Sequence, residues 1–425
     1  MTTPPHPLRI AYFRAYFASR LLNTIAISAQ AIIIGWQVYD IARLTMSIKE
    51  SAFLLGMIGL AQFVPLFLLT PVVGLVADTY DRRFIVRGTT ALLTINALML
   101  GFMTWEGMLS LPILFLAAVF VGVARAFSGP AYSALAPNLV PREVLPTAIA
   151  VSSIAWQTGM ILGPSVGGVL YAIHPDVAYA SISVMFAVSL GVLWLIGSVP
   201  QPPVQQHRKP MQRIVDGFSY VRNHRLVLGA ITLDLCVVLL AGSVALLPVY
   251  ARDILHVGPT GFGVLAAGMG IGAASGSLWF TFKPMKHNVG LKMLIAVGIF
   301  SIAIITFGLS TWFPLSLVAL VVAGAADMVS VYVRQSLIQL HTPDEMRGRV
   351  GAISALTISA SNELGEAETG LVASILGPVG AVVFGGCAAI VVTLTWSKIF
   401  PELRNARTFD PNDLHPQKKP QEATP

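Results

Sequence analysis

Asn362-Glu363-Leu364-Gly365-Glu366-Ala367-Glu368 places three carboxylates inside an otherwise apolar run, 349–375, long enough to cross a bilayer. An ionised carboxylate at the centre of a membrane helix costs about 2.5–3.5 kcal/mol, so three together oppose insertion by about 10 kcal/mol. Such groups persist where they face water, pair with a cation or bind protons. The run reads as one helix of a membrane bundle with a polar interior, and it is the first place to look for energy coupling.

The rest of the chain supports that reading. Of its 425 residues 55% are hydrophobic and 11% charged, against about 25% charged for an ordinary soluble domain. Apolar runs recur at 13–40, 51–78, 84–105, 109–135, 145–172, 176–198, 226–250, 259–282, 290–310, 313–338, 349–375 and 378–400. The expected fold is an all-α integral membrane protein of twelve transmembrane helices. Thr2 to Leu8 lacks the features of a cleavable signal peptide, so the first run is expected to be a permanent span. Cys236 and Cys387 both fall in predicted spans, which argues against a disulfide framework or a metal site.

The net charge of +7 is topological. Of the 27 lysines and arginines, 21 fall on the segments that share a side with the termini, and only Arg43, Lys49 and Arg252 fall on the opposite loops. Arg20, Arg125 and Arg334 lie within spans. By the positive-inside rule both termini are expected in the cytoplasm of a bacterial inner membrane. No nucleic-acid partner is implied.

The longest connection, 199–225, opens Pro-rich and carries a basic cluster. It separates six spans from six, giving an N-terminal bundle (1–198), a cytoplasmic linker (199–225), a C-terminal bundle (226–400) and a polar tail (401–425) expected to be disordered. From Met211 the linker reads as an amphipathic helix with Ile214, Phe218 and Val221 on one face, suited to lying on the inner leaflet. The bundles match at an offset of 202 residues. Glycines pair at 56/258, 59/261, 74/276, 88/290, 122/324, 163/365 and 168/370, where composition alone gives about 1.6 coincidences. Two pseudo-symmetric six-helix bundles with a substrate path between them suit rocking about a midplane site.

Within that frame, Gly74-Leu-Val-Ala-Asp78-Thr-Tyr-Asp81-Arg82-Arg83 joins spans 2 and 3. Its acid and paired arginines could latch cytoplasmic helix ends, or serve only as a topogenic loop. This string resembles the signature G-x3-D-[RK]-x-G-[RK]-[RK] of the major facilitator superfamily, with matches at Gly74, Asp78, Arg82 and Arg83. Thr79 and Asp81 depart from it, Asp81 where a glycine is usual. The resemblance implies an inner-gate role for this loop. The second-half counterpart, Lys283-Pro-Met-Lys286, has lost its acid.

Span 5 holds Gly159, Gly163, Pro164, Gly167 and Gly168, and span 8 holds Gly268, Gly272 and Gly276. Four-residue spacing puts each set on one helix face that lets a backbone approach closely, and the two faces are expected to meet between the bundles. The string G-x3-G-P-x2-G-G is similar to the motif of drug-proton antiporters in the superfamily. Arg125-Ala-Phe-Ser-Gly129 resembles the R-x2-q-G element of the same antiporters. Over residues 10–400 the chain looks like the branch containing macrolide efflux pumps and the enterobactin exporter.

Candidates for proton coupling are Glu363, Glu366, Asp327 and Arg125. Glu363 and Glu366 share a helix face at i, i+3, while Glu368 points away. Asp327 sits at the repeat position of Arg125, and with Arg334 it shares a face of span 10, so a static ion pair is the alternative. Arg20, Asn23, Gln30, Asp234 and Arg334 are the candidate cavity residues. Trp36 and Tyr39 are expected in an interfacial aromatic belt.

No G-x4-G-K-[ST] string and no nucleophile motif is present, so neither ATP-driven transport nor an enzyme is supported. No cofactor is implied. The expected function is secondary export of an amphiphilic small molecule, siderophore or drug, by proton antiport and alternating access. The expected partners are that substrate, protons and membrane lipids, with the chain as a monomer. A lysophospholipid or other lipid transporter of the same fold without proton exchange is the alternative, and a non-transporting receptor or scaffold is disfavoured.

Overall fold

The computed structural model describes residues 6–198, 210–283 and 285–410. The first half contains α1 (Ala11–Ala42), α2 (Ile48–Thr79), α3 (Arg82–Trp105), α4 (Leu111–Leu135), α5 (Leu145–Ile173) and α6 (Pro175–Trp194). A linker helix, α7 (Pro210–Asn223), leads to α8 (Arg225–Leu240), which continues through short helical turns to Ile254. Then follow α9 (Gly258–Phe282), α10 (Val289–Leu309), α11 (Phe313–Leu340), α12 (Asp344–Leu376) and α13 (Pro378–Ile399). Among the described residues, eleven helices are long and apolar enough to cross a membrane. The twelfth crossing element is α12, whose 33 residues suffice in length but carry the acidic run.

The connections are short and locally encoded. Ser47 caps α2 by accepting from the Glu50 backbone N–H, and Glu50 returns the bond, so the turn after α1 is fixed by a capping box. Prolines open α4, α5, α6, α9, α11 and α13, where the missing N–H costs nothing.

The halves repeat one packing scheme. In the first, α1 packs on α5, α2 on α4, and α3 on α4 and α6. In the second, α8 packs on α12, α9 on α11, and α10 on α11 and α13. Paired glycines make equivalent contacts. Gly122 presses on the α2 backbone at Gln62, and Gly324 on the α9 backbone at Met269. Gly163 meets α1 at Ile25 and Ser28, and Gly365 meets α8 at Val238 and Leu239. A side chain at any of these four would collide with a neighbouring helix.

The halves meet along α2–α12 and α5–α9. A Cβ at Gly56 would come within 2.8 Å of the Gly370 Cα, and one at Gly168 within 2.8 Å of the Gly263 Cα. All four glycines lie toward the end of the bundle opposite the termini. On the face of α5 that carries Gly168, Gly168 is buried but Ser153 and Gln157, nearer the terminal end, are exposed. The halves are therefore closed together at the far end and splayed at the end that carries the termini.

Two expectations change here. The tail is ordered as far as Asp410: Leu403 is fully buried, and the Ala406 carbonyl accepts from Gly290 N–H at 3.0 Å. Two apolar side chains in a polar segment anchor it. Residues 411–425 and 199–209 lie outside the described set. Helix α7 lies against the second bundle, with Val221 buried beside Val227, Ile231, Ile338 and Val350. Tyr220 donates to the His341 carbonyl at 2.8 Å and Asp216 pairs with Arg349 at 3.3 Å. Phe218 stays exposed, and the Ile214 side chain is outside the described set.

Candidate functional site

Where the two halves converge, the acidic run of α12 faces α2 and α4. Arg125 on α4 donates to Glu363 at 2.7 Å and to the Gln62 side-chain oxygen at 3.0 Å. Glu363 is almost fully covered, while the Arg125 side chain keeps 39% of its surface. The pair therefore spans the interface with its cationic member open to the space between the halves. One turn on, the Glu366 side chain lies against Gly59 of α2, where an added Cβ would come within 2.6 Å of the carboxylate oxygen. Gly59 was singled out by the repeat alone, and this contact supplies its physical reason. Glu368 is only partly buried and points away from the pair.

The other proposed coupling residue, Asp327, is elsewhere. It lines a small cavity within the second half with Asp234, Ser330, Val297 and Phe300. Arg334 pairs with Asp234 of α8 rather than with Asp327, and both partners of that pair are buried. Sharing a face of α11 did not make Asp327 and Arg334 partners, because Asp234 meets the guanidinium from the adjacent helix. On α1, Arg20 donates to the Tyr16 hydroxyl at 2.6 Å and lies over the Tyr132 ring at 5.7 Å. Asn23 and Gln30 are buried, and the Asn23 oxygen and both Gln30 side-chain polar atoms have no partner among the described residues.

The closed end carries a second polar cluster that sequence reading missed. Asp40 pairs with Arg252, Tyr39 donates to Asp253, and Arg43 lies 3.6 Å from Asp253. Lys49 donates to the Ile375 carbonyl at 2.8 Å. Each contact joins the first half to the second. Trp36 and Tyr39 are consequently not a lipid-facing belt: Tyr39 is buried under this cluster, and Trp36 packs on Phe262 with ring centroids 5.8 Å apart. The one available signal was the pairing of opposite charges in two loops, Asp40 and Arg43 against Arg252 and Asp253.

The glycine stripes divide differently from expectation. Gly159, Gly163 and Gly167 press on α1 at Thr24, Ser28 and Ala29, inside the first half. Gly268, Gly272 and Gly276 press on α11 at Leu317, Val321 and Ala325, inside the second. From this motif, Gly168 and the Pro164 carbonyl face α9 across the interface, meeting Gly263. Four-residue spacing marks a close-packing face but does not say which helix fills it, and in each bundle a helix of the same half fills it.

At the opposite end, the Asp78 side chain and the surroundings of Gly74 lie outside the described set. Arg82 donates to the Ala134 carbonyl at 3.1 Å. Arg83 pairs with Asp81 and donates to the Gly197 carbonyl. Asp81 caps α3 by accepting from the Arg83 backbone N–H at 2.9 Å. Its backbone is extended, so the turn needs no glycine. Partial burial works against its charge, but the hydrogen bonds from Arg83 outweigh it and hold the carboxyl below its ordinary range. Arg87 is buried, donating to Leu193 and Ile196 carbonyls and lying 4.5 Å over Trp194. These arginines knit α3 to the ends of α4 and α6 within one half.

The arrangement is two similar bundles, close-packed by glycine, joined by ion pairs at one end and open at the other. The model of a family described as transmembrane secretion effectors matches residues 2–423. The chain belongs to that family of the major facilitator superfamily. It is 27% identical over 407 residues to the enterobactin exporter EntS of Citrobacter koseri, covering 94% of each chain. The Escherichia coli EntS matches at the same identity and coverage. Among solved structures, the inward-facing, unoccupied form of a bacterial homologue of the human lysosomal transporter Spinster superposes with a TM-score of 0.69 at 16% identity, covering 94% of this chain and 97% of that one. A D-xylose-proton symporter gives a TM-score of 0.69 at 15% identity, covering 92% and 99%. At these identities the structural likeness establishes the fold alone.

Proposed function

We propose that this chain is a secondary exporter of an amphiphilic small molecule, a siderophore or a drug, working by proton antiport and alternating access with both termini in the cytoplasm of a bacterial inner membrane. The observation that carries the reading is the Arg125–Glu363 pair, an ion pair made only where the two halves meet. When the halves rock apart at the closed end, Glu363 parts from Arg125 and must find other compensation for its charge. A proton supplies it on one side, and reclosure against Arg125 expels it on the other. Glu366, against Gly59 on the same face, offers a second exchangeable carboxyl beside it, and Asp327 a third within the second half. The identity to the enterobactin exporters supports export and a siderophore-like cargo. The glycine contacts support a hinge-like interface that closes only when backbones touch.

One proton moving inward across 100 mV supplies about 2.3 kcal/mol, which sustains roughly a fiftyfold gradient of a neutral cargo at one-to-one exchange. The test reconstitutes the full chain in proteoliposomes, imposes a pH gradient and follows enterobactin and a macrolide. Glu363→Gln, Glu366→Gln and Asp327→Asn are compared for uphill transport and for counterflow. The expected result is that at least Glu363→Gln loses uphill transport and keeps counterflow. Uphill transport retained in all three variants would remove the coupling assignment, and wild-type flux indifferent to the gradient would favour the lipid-transporter reading.

A further inference from the structure

The two half-repeats differ in the turn that follows their second helix, and in the second half that turn borders a crevice with a distinct chemistry. In the first half, the turn between α2 and α3 carries Asp81, which neutralises Arg83 and caps α3. Adding the repeat offset of 202 to Asp81 gives Lys283, so the second half puts a cation where the first puts the capping acid. Asn288 then opens α10 in the left-handed conformation, φ 53°, with no side-chain cap. Lys283, Lys286 and Lys292 are exposed and make no ion pair with a described residue. Apart from Lys283 over the Trp279 ring, no contact among the described residues uses their charge.

Below these lysines lies a cavity of about 560 Å³ between α9, α10 and α11. Its rim is Lys283, Lys286, His287 and Lys292, its floor is Ile295, Ile299 and Val329, and no acidic residue is among the described residues that line it. One wall is Phe280, stacked on Tyr332 at 4.7 Å, with Phe409 from the ordered tail against the far side of Tyr332 at 5.8 Å. Trp279 is 60% exposed at the mouth, and Lys283 lies 5.0 Å over its ring. An exposed tryptophan beside lysines at a helix end is the pattern of a bilayer interface, and Ile295 and Ile299 are exposed in the direction the chains of a lipid would take.

We infer that this crevice binds an anionic phospholipid of the leaflet at the terminal end, with the lysine rim on the phosphate and the acyl chains along Ile295 and Ile299. A soluble anion would be served by the rim alone and would leave the apolar floor unused. Each interfacial lysine contributes about a fivefold preference for an acidic lipid, so three together give a preference of tenfold or more even after salt screening. The inference concerns a lipid site on the outside of the second bundle and stands whatever the cargo of the central path.

The test is native mass spectrometry of the full chain titrated with phosphatidylglycerol, with phosphatidylcholine as the neutral lipid and glycerol 3-phosphate as the free headgroup. The triple variant Lys283→Gln, Lys286→Gln, Lys292→Gln should lose one high-affinity phosphatidylglycerol site, its dissociation constant rising roughly tenfold or more. A control triple, Arg14→Gln, Arg222→Gln, Lys398→Gln, removes the same charge from exposed positions at the same end and should keep the site. Glycerol 3-phosphate should not compete. Equal losses in both triples would reduce the effect to general electrostatics and overturn the site. Competition by glycerol 3-phosphate would show an anion site with no lipid selectivity and overturn it as well.

Discussion

Arg125 on α4 and Glu363 on α12 meet at 2.7 Å across an interface otherwise made largely of glycine and backbone. The interface is therefore held by charge here and at the far-end cluster of Asp40, Arg43, Arg252 and Asp253, and permitted by bare backbone at several places between. Removing the partly exposed Arg125 leaves the covered Glu363 uncompensated, at a cost below the about 3–5 kcal/mol of a fully buried pair. Because the partners sit on different halves, that energy bears on the conformational equilibrium more than on the fold of either half. Arg125→Gln should thus lower the melting temperature little while shifting the population away from the closed far end. Arg125→Gln with Glu363→Gln should restore it. Spin-label distances between Thr45 and His256, exposed on facing turns of that end, report the shift, and a non-additive double-mutant cycle is the expected signature.

Gly163 and Gly168 are five residues apart on α5 and face different neighbours, α1 in the same half and α9 in the other. Gly163→Leu should wedge α5 from α1 and cost several kcal/mol of overpacking strain, about 1–3 by the usual range, so yield and melting temperature fall. Gly168→Leu has no such clash within its own half. It should leave stability close to wild type and abolish transport by keeping the far end from closing. If both variants melted alike, the division into packing and interface glycines would be wrong.

The fold was legible because its signals are redundant. Twelve apolar runs, a charge asymmetry and a 202-residue repeat each report the same two bundles. The acidic run was legible because three carboxylates in an apolar helix have no bland explanation. Other parts of the site were not legible, for identifiable reasons. Spacing puts Gly159, Gly163 and Gly167 on one face but does not name the helix that meets it. Arg252 and Asp40 lie 212 residues apart, and each alone looks like an ordinary loop charge. Leu403 and Ala406 anchor a tail whose average composition is polar, and an average conceals two buried contacts. Asp81 breaks a glycine consensus because a side-chain cap can replace a permissive backbone.

That cap has a pH signature. The Asp81 carboxyl is held below its ordinary value of 3.8 in the folded chain by Arg83. A group with a depressed folded pKa adds stability above its unfolded pKa and loses it as pH falls through the folded one. Asp81→Ala should cost about 1 kcal/mol for the cap at pH 7. Measured by thermal melting, the gap between wild type and variant should hold from pH 7 to about pH 5 and shrink below about pH 4. A gap that stayed constant down to pH 3 would show that the charge of Asp81 contributes nothing.

The cluster at the closed end sets how tightly that end shuts. Asp40 and Arg252 are partly exposed, at 47% and 32% of their side-chain surface, so the pair contributes at most about 1 kcal/mol. Arg43 and Asp253 are more covered but 3.6 Å apart, and they add a similar amount. Together the contacts bias the closed end by about 2 kcal/mol, a factor of roughly thirty in population. That is enough to favour closure and small enough for a cargo to reverse. Asp40→Arg places two arginines opposite each other and should open the end. Restoring opposite charge with Asp40→Arg and Arg252→Asp together should close it again. The Thr45–His256 distance distribution should lengthen in the single variant and return in the double, with export following the same order. Persistence of the long distance in the double variant would mean that Tyr39 and Arg43 on Asp253, rather than the Asp40–Arg252 charge pair, hold this end shut.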